Sequence, residues 1–222
     1  YDHSWRSEKR LMLRNLGPNN RLLMLSLFVW AFSVGLWYNQ RQLYLSELGA
    51  TPKQIGIALA LESIFAAIIM IPAGLLSDRL GPRRVILGTW SMGICGVILM
   101  ALARSWHAAI PGLVIYRLAA ASAPALLSFA LLNIPDRSVS GISERTLTTV
   151  FTAWPAAHIV SPWLGGIIAQ ETAIRTNLWV AAGVFALGIG LMFLIKPVEP
   201  DRGAERQSPF VLFRNRSFLL LV

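Results

Sequence analysis

The stretch Gly74-Leu75-Leu76-Ser77-Asp78-Arg79-Leu80-Gly81-Pro82-Arg83-Arg84 sets one acid and three arginines between two long apolar runs. A helix that crosses a bilayer needs about 20 mostly apolar residues. Both neighbouring runs meet that length, so the charged stretch reads as a tight loop at a membrane surface. Gly81 permits the reversal, and Gly74 would let a neighbouring helix come close. Outward from this loop the same reading gives six spans, at 22–46, 54–77, 84–103, 108–134, 146–169 and 177–195. A cytoplasmic tail over 1–20 precedes the bundle of 21–196. A linker over 197–216, with three prolines and seven charges, follows it. Residues 217–222 read as the beginning of a seventh span, and the chain is expected to be a piece of a longer protein.

Composition agrees with an all-α membrane protein. Of 222 residues, 55% are hydrophobic and 14% charged, and mean hydropathy is +0.57. Soluble domains carry about 25% charged residues. A single cysteine excludes an internal disulfide and a cysteine metal cluster. The net charge of +9 is topological: 15 of the 20 basic residues fall on the tail, the linker and the loops on their side. The opposite loops carry only Lys53, Arg104 and Arg175, which makes the N-terminal side cytoplasmic by the positive-inside rule. Spread over four segments, these charges do not form a nucleic-acid surface. Helix boundaries are also marked: Thr51-Pro52-Lys53-Gln54 reads as a capping box with proline at the first helical position. Small residues at Ala58/Ala66 and Ala182/Ala186/Gly190 read as packing stripes.

Four ionisable residues lie within spans: Arg41, Glu62, Arg117 and His158. Such residues are costly in lipid and usually face protein or water. Counted at 1.5 Å per residue, Arg41, Glu62 and Arg117 share roughly one depth on three spans. With Glu62 ionised, an Arg–Glu–Arg cluster carries one net positive charge. Arg41 either lines a cavity or snorkels outward, whereas a short carboxylate such as Glu62 cannot reach the surface. Trp30, Ser33, Trp37, Arg41 and Tyr44 fall on one stripe of span one, read as a cavity face or as an interfacial aromatic belt. His158, between Pro155 and Pro162, is either a proton relay or a packing residue. No metal-ligand spacing, nucleophile elbow or phosphate loop is present, so neither enzyme chemistry nor a cofactor is expected.

The loop Gly74, Leu76, Asp78, Arg79, Gly81, Arg83, Arg84 resembles the hallmark loop of the major facilitator superfamily, G-x-L-[SA]-D-R-x-G-x-[RK]-[RK]. Arg117 with Ala119–Ala123 resembles the family's fourth-helix arginine motif. Ser161, Pro162, Gly165 and Gly166 resemble its fifth-helix glycine-proline motif, with Ser161 and Ala157 in place of glycines. The spacing Gly166–Glu171–Arg175 weakly echoes Gly74–Asp78–Arg83 across the membrane, as a 3+3 inverted repeat would. The resemblance implies the N-terminal six-helix bundle of a twelve-helix carrier, with a second bundle as its partner. It also implies a cytoplasmic gate at Asp78 and a central site reached alternately from each side of the plasma membrane. Within that expectation Glu62 couples protons, while Arg41 and Arg117 position a small-molecule substrate. Proton-coupled efflux of amphipathic compounds is the leading expectation. A small-anion or metabolite symporter is the alternative, and a non-transporting receptor or scaffold is the reading from another class.

Overall fold

A computed structural model describes residues 16–134 and 141–196. The expected linker and seventh span, and all but the last few residues of the expected tail, lie outside the described residues. Those described are helical throughout, with no strand among them. Helix α1 (Pro18–Trp37) starts on a proline, passes through a 3-10 turn at Tyr38–Gln40 and continues as α2 (Arg41–Glu47). Then come α3 (Pro52–Leu80), α4 (Pro82–Leu102), α5 (Trp106–Ala120) and α6 (Ala123–Leu132). After the undescribed 135–140, α7 (Ile142–Phe151), α8 (Ala153–Glu171) and α9 (Ile174–Phe193) complete the described chain.

Five stretches among the described residues are long and apolar enough to cross a membrane: Pro18–Glu47, Pro52–Leu80, Pro82–Leu102, Trp106–Leu132 and Ile174–Phe193. The span expected at 146–169 is helical but is not among them. It divides at Thr152 between α7 and α8, and His158, Gln170, Glu171 and two prolines dilute its apolar content. Pro155 explains the division, since it has no N–H to give to the Phe151 carbonyl. Pro124 breaks α5 from α6 in the same way, by withholding a donor from the Ala120 carbonyl. Helix α3 begins on the capping box: Thr51 N–H donates to Gln54 Oε1 at 2.8 Å, and Gln54 N–H to Thr51 Oγ1 at 3.4 Å. It ends at Gly81, whose φ of +86° only glycine adopts freely.

Helix α1 runs through the centre, against α8 on one side and α9 on the other. Its crossing with α8 is closest. A Cβ on Gly165 would fall 2.0 Å from the Leu36 carbonyl oxygen, and one on Gly35 would collide with Ser161 Oγ. Helices α4 and α5 meet at Gly96 and Gly112, where a Cβ on either would lie within 3 Å of the other helix's backbone. Between these crossings Trp30 stacks on Trp90, with ring centroids 5.0 Å apart, and leans on Trp154 and Phe185. Contact of this kind, rather than burial from water, holds helices together in lipid.

Helices α4 and α9 run antiparallel and are joined at both ends. Arg83, second residue of α4, donates from Nη2 to the Phe193 carbonyl that closes α9, at 3.1 Å. Arg175, second residue of α9, donates from Nη2 to the Ala103 carbonyl that caps α4, at 2.7 Å. Each cation thus satisfies a free carbonyl at a helix C-terminus. The two arginines of the weak sequence echo therefore hold equivalent positions.

Candidate functional site

Helix α3 is the least enclosed of the long helices, yet Glu62 at its middle is buried, its side chain 3% exposed. Its carboxylate meets two guanidiniums. Oε2 lies 3.4 Å from Arg41 Nε, and Oε1 lies 3.6 Å from Arg117 Nε. The three charges that the sequence sets at one depth are in mutual contact, drawn from α2, α3 and α5. Both arginine side chains remain partly open, at 19% and 25% exposure, so the acid lies beneath and the cations face outward.

Tyr38 ties the cluster together. Its hydroxyl donates to Glu62 Oε1 at 3.1 Å and accepts from Arg117 Nη1 at 3.3 Å. Its carbonyl accepts from Arg41 Nη1 at 2.8 Å, and the Arg41 guanidinium sits 3.8 Å over its ring. That last contact is a cation–π interaction. The 3-10 turn at Tyr38–Gln40 makes this possible by folding Arg41 back over Tyr38. Trp37 and Tyr116 pack edge to face beneath, with centroids 4.8 Å apart. Sequence reasoning missed Tyr38, although its signal was available: it precedes Arg41 by three residues and so shares its side of the helix.

The stripe read as a cavity face or an interfacial aromatic belt turns inward instead. Ser33 is fully buried and donates to the Ala181 carbonyl of α9 at 2.8 Å. Tyr44 donates to the Met100 carbonyl at 2.6 Å, Trp37 is 1% exposed, and Trp30 belongs to the tryptophan stack. These four side chains are packing residues, because α1 is central and has a neighbour on either side. Only Arg41, beyond the 3-10 turn, departs from that face.

His158 contacts none of the triad by hydrogen bond or ion pair among the described residues. Its Nδ1 lies 3.0 Å from the Trp154 carbonyl, one turn back, and its ring rests on Trp154. In the fifth-helix motif, Ser161 and Gly165 form the α1 crossing, and Pro162 is partly buried beside Gly35. The Gly165 carbonyl accepts from Asn177 Nδ2 at 2.6 Å, which also reaches Gln40 Oε1 at 2.8 Å. Gly166 faces open space.

At the loop, Asp78, Arg79 and Arg84 are exposed and Arg83 is engaged with Phe193. A Cβ on Gly74 would meet nothing within 4 Å. The close helix approach expected there is absent among the described residues, since α3 turns that side away from the bundle.

Known proteins supply the remaining comparison. The chain is 27% identical over 164 residues to the inner membrane transport protein YajR of Escherichia coli, covering 73% of this chain and 35% of that protein. A Deinococcus radiodurans protein, named provisionally as a sugar efflux transporter, is 23% identical over 166 residues, covering 73% of this chain and 42% of that protein. The chain therefore spans less than half the length of these relatives. In fold it is similar to the crystal structure of the Escherichia coli fucose:proton symporter FucP, with a TM-score of 0.69 and 17% identity. That likeness covers 84% of this chain and 45% of FucP. The family model of the major facilitator superfamily matches residues 22–222, and the chain, a multi-pass membrane protein, belongs to that family of transporters.

Proposed function

We propose that the full-length protein is a proton-coupled carrier that moves a small solute across the plasma membrane by alternating access, with Tyr1 on the cytoplasmic side. The observation that carries this reading is the buried Glu62 held between Arg41 and Arg117. Protonating Glu62 removes the attraction that draws two guanidiniums inward. Arg41 and Arg117 are then released toward an anionic group, and Tyr38 keeps a hydrogen bond to the neutral acid. Solute binding and proton binding thereby become linked through one carboxylate.

Two cargo readings come from the sequence. The aromatic stripe that favours amphipathic compounds is taken up by packing, whereas the guanidinium left over from the triad favours a solute bearing negative charge. We adopt the anionic solute, and export remains the alternative direction that the Deinococcus relative's name supports. Asp78 and the arginines beside it are proposed as the cytoplasmic gate, with Asp78, Arg79 and Arg84 exposed to meet a second bundle.

The test uses the full-length protein in vesicles. Glu62→Gln should abolish accumulation driven by a proton gradient while leaving counterflow exchange intact. Unchanged uphill transport would remove Glu62 from the mechanism. Loss of exchange as well, in a protein that still folds, would assign Glu62 to solute binding alone.

A further inference from the structure

We propose that the α1–α9 pair carries a binding site for one anionic phospholipid, on the bundle surface away from the triad. A groove of about 480 Å³ lies there between Leu25 and Val29 of α1 and Ala186, Gly190 and Leu191 of α9, with Leu194 just past its end. Its walls are wholly aliphatic. Ala186 and Gly190 are exposed, and a Cβ on Gly190 would meet nothing within 4 Å. They do not serve helix packing, contrary to the stripe read from the sequence. Gly188 does that, with its Cβ position 3.3 Å from the Trp30 backbone nitrogen.

The mouth of the groove is basic. Arg21 stands one turn before Leu25 on the same side of α1, and Lys196 follows Leu194 by two residues; both are exposed. Asn19 ties the Lys196 backbone to the start of α1: its Nδ2 donates to the Lys196 carbonyl at 3.2 Å, and its Oδ1 accepts from the Lys196 N–H at 3.3 Å. Arg83 reaches the same helix end through the Phe193 carbonyl. Among the described residues neither Arg21 nor Lys196 forms an ion pair with an acid. An aliphatic trough ending in two exposed cations matches a lipid that combines an acyl chain with a net negative phosphate head. A zwitterionic lipid fills the trough but leaves the cations uncompensated. A free phosphate meets the cations but leaves the trough empty.

The full-length protein, purified from micelles holding equal phosphatidylglycerol and phosphatidylcholine, is examined by native mass spectrometry. The wild type should retain one phosphatidylglycerol in preference to phosphatidylcholine. Gly190→Leu fills the trough, and the double variant Arg21→Gln/Lys196→Gln removes the mouth. Each should lose that preference while keeping its thermal midpoint in detergent. Should Gly190→Leu fail to fold, Ala186→Leu takes its place. Equal retention of the two lipids by the wild type, or undiminished phosphatidylglycerol on either variant, would overturn the proposal. Displacement of the lipid by soluble glycerophosphate would likewise overturn it, by showing the cations alone to be the site. None of these readouts involves transport, so the lipid site stands or falls apart from the proposed carrier function.

Discussion

Helices α3 and α8 are both attached to the central part of the bundle, by opposite physical means. Helix α8 lies against α1 through absent side chains: Gly165 faces the Leu36 carbonyl, and Gly35 makes room for Ser161. Helix α3 leans on the bundle mainly at Ala58, Glu62, Ala73 and Ser77, its buried residues among those described. Glu62, the charged residue at its middle, supplies the specific contacts. Backbone contact has one solution and is rigid, whereas an ion cluster can be released by a proton. In the proposed mechanism, this difference separates scaffold from moving part within one bundle.

The sharpest way to break this contrast is to put bulk at the rigid crossing. Gly165→Val should cost about 3 kcal/mol by overpacking, roughly a 10 °C fall in thermal midpoint, or leave no folded protein. A midpoint within error of wild type would mean that α8 is not pinned there. Next in size is Glu62→Ala, which leaves two guanidiniums without their acid. Because both are partly open to water, the expected cost is only about 1–2 kcal/mol. The informative readout is local: amide exchange along α3 should accelerate while that along α8 stays unchanged. Arg83→Gln and Arg175→Gln should each lower stability by about 0.5 kcal/mol, the scale of a cation at a helix C-terminus. Matching effects from the two would support their equivalence in an inverted repeat.

At the small end, Gly74→Ala should leave stability unchanged or raise it by up to about 1 kcal/mol, since alanine favours helix and the position is open. Transport by the full-length variant sharpens the comparison. A stable but impaired Gly74→Ala would mean that α3 uses this face against the second bundle. Normal transport would limit the role of the loop to Asp78 and its arginines.

Much of the architecture was legible because lipid imposes length, and because proline and glycine mark helix ends locally. Thr51–Gln54 and Gly81 are cases where four or fewer residues determine the outcome. The shared depth of Arg41, Glu62 and Arg117 was legible for the same reason, since depth depends only on counting along a helix. Facing was harder. The stripe from Trp30 to Tyr44 has the right spacing, but periodicity does not say which side of a helix meets protein when several sides do. The 3-10 turn that lifts Arg41 off that face and folds it over Tyr38 has no proline or glycine to announce it. The fifth span is helical where expected, but its apolar character is interrupted by His158, Pro162 and Gln170, so that packing rather than hydropathy defines it.

The paired arginines at the ends of α4 and α9 have a mechanical consequence. Sliding one helix past the other by a single residue, about 1.5 Å, would detach both cations together, at opposite membrane faces. The two rods thus behave as a strut fastened top and bottom. Bending within the bundle is left to α3 and to the spans that are already jointed, at Tyr38–Gln40, Ala121–Ser122 and Thr152.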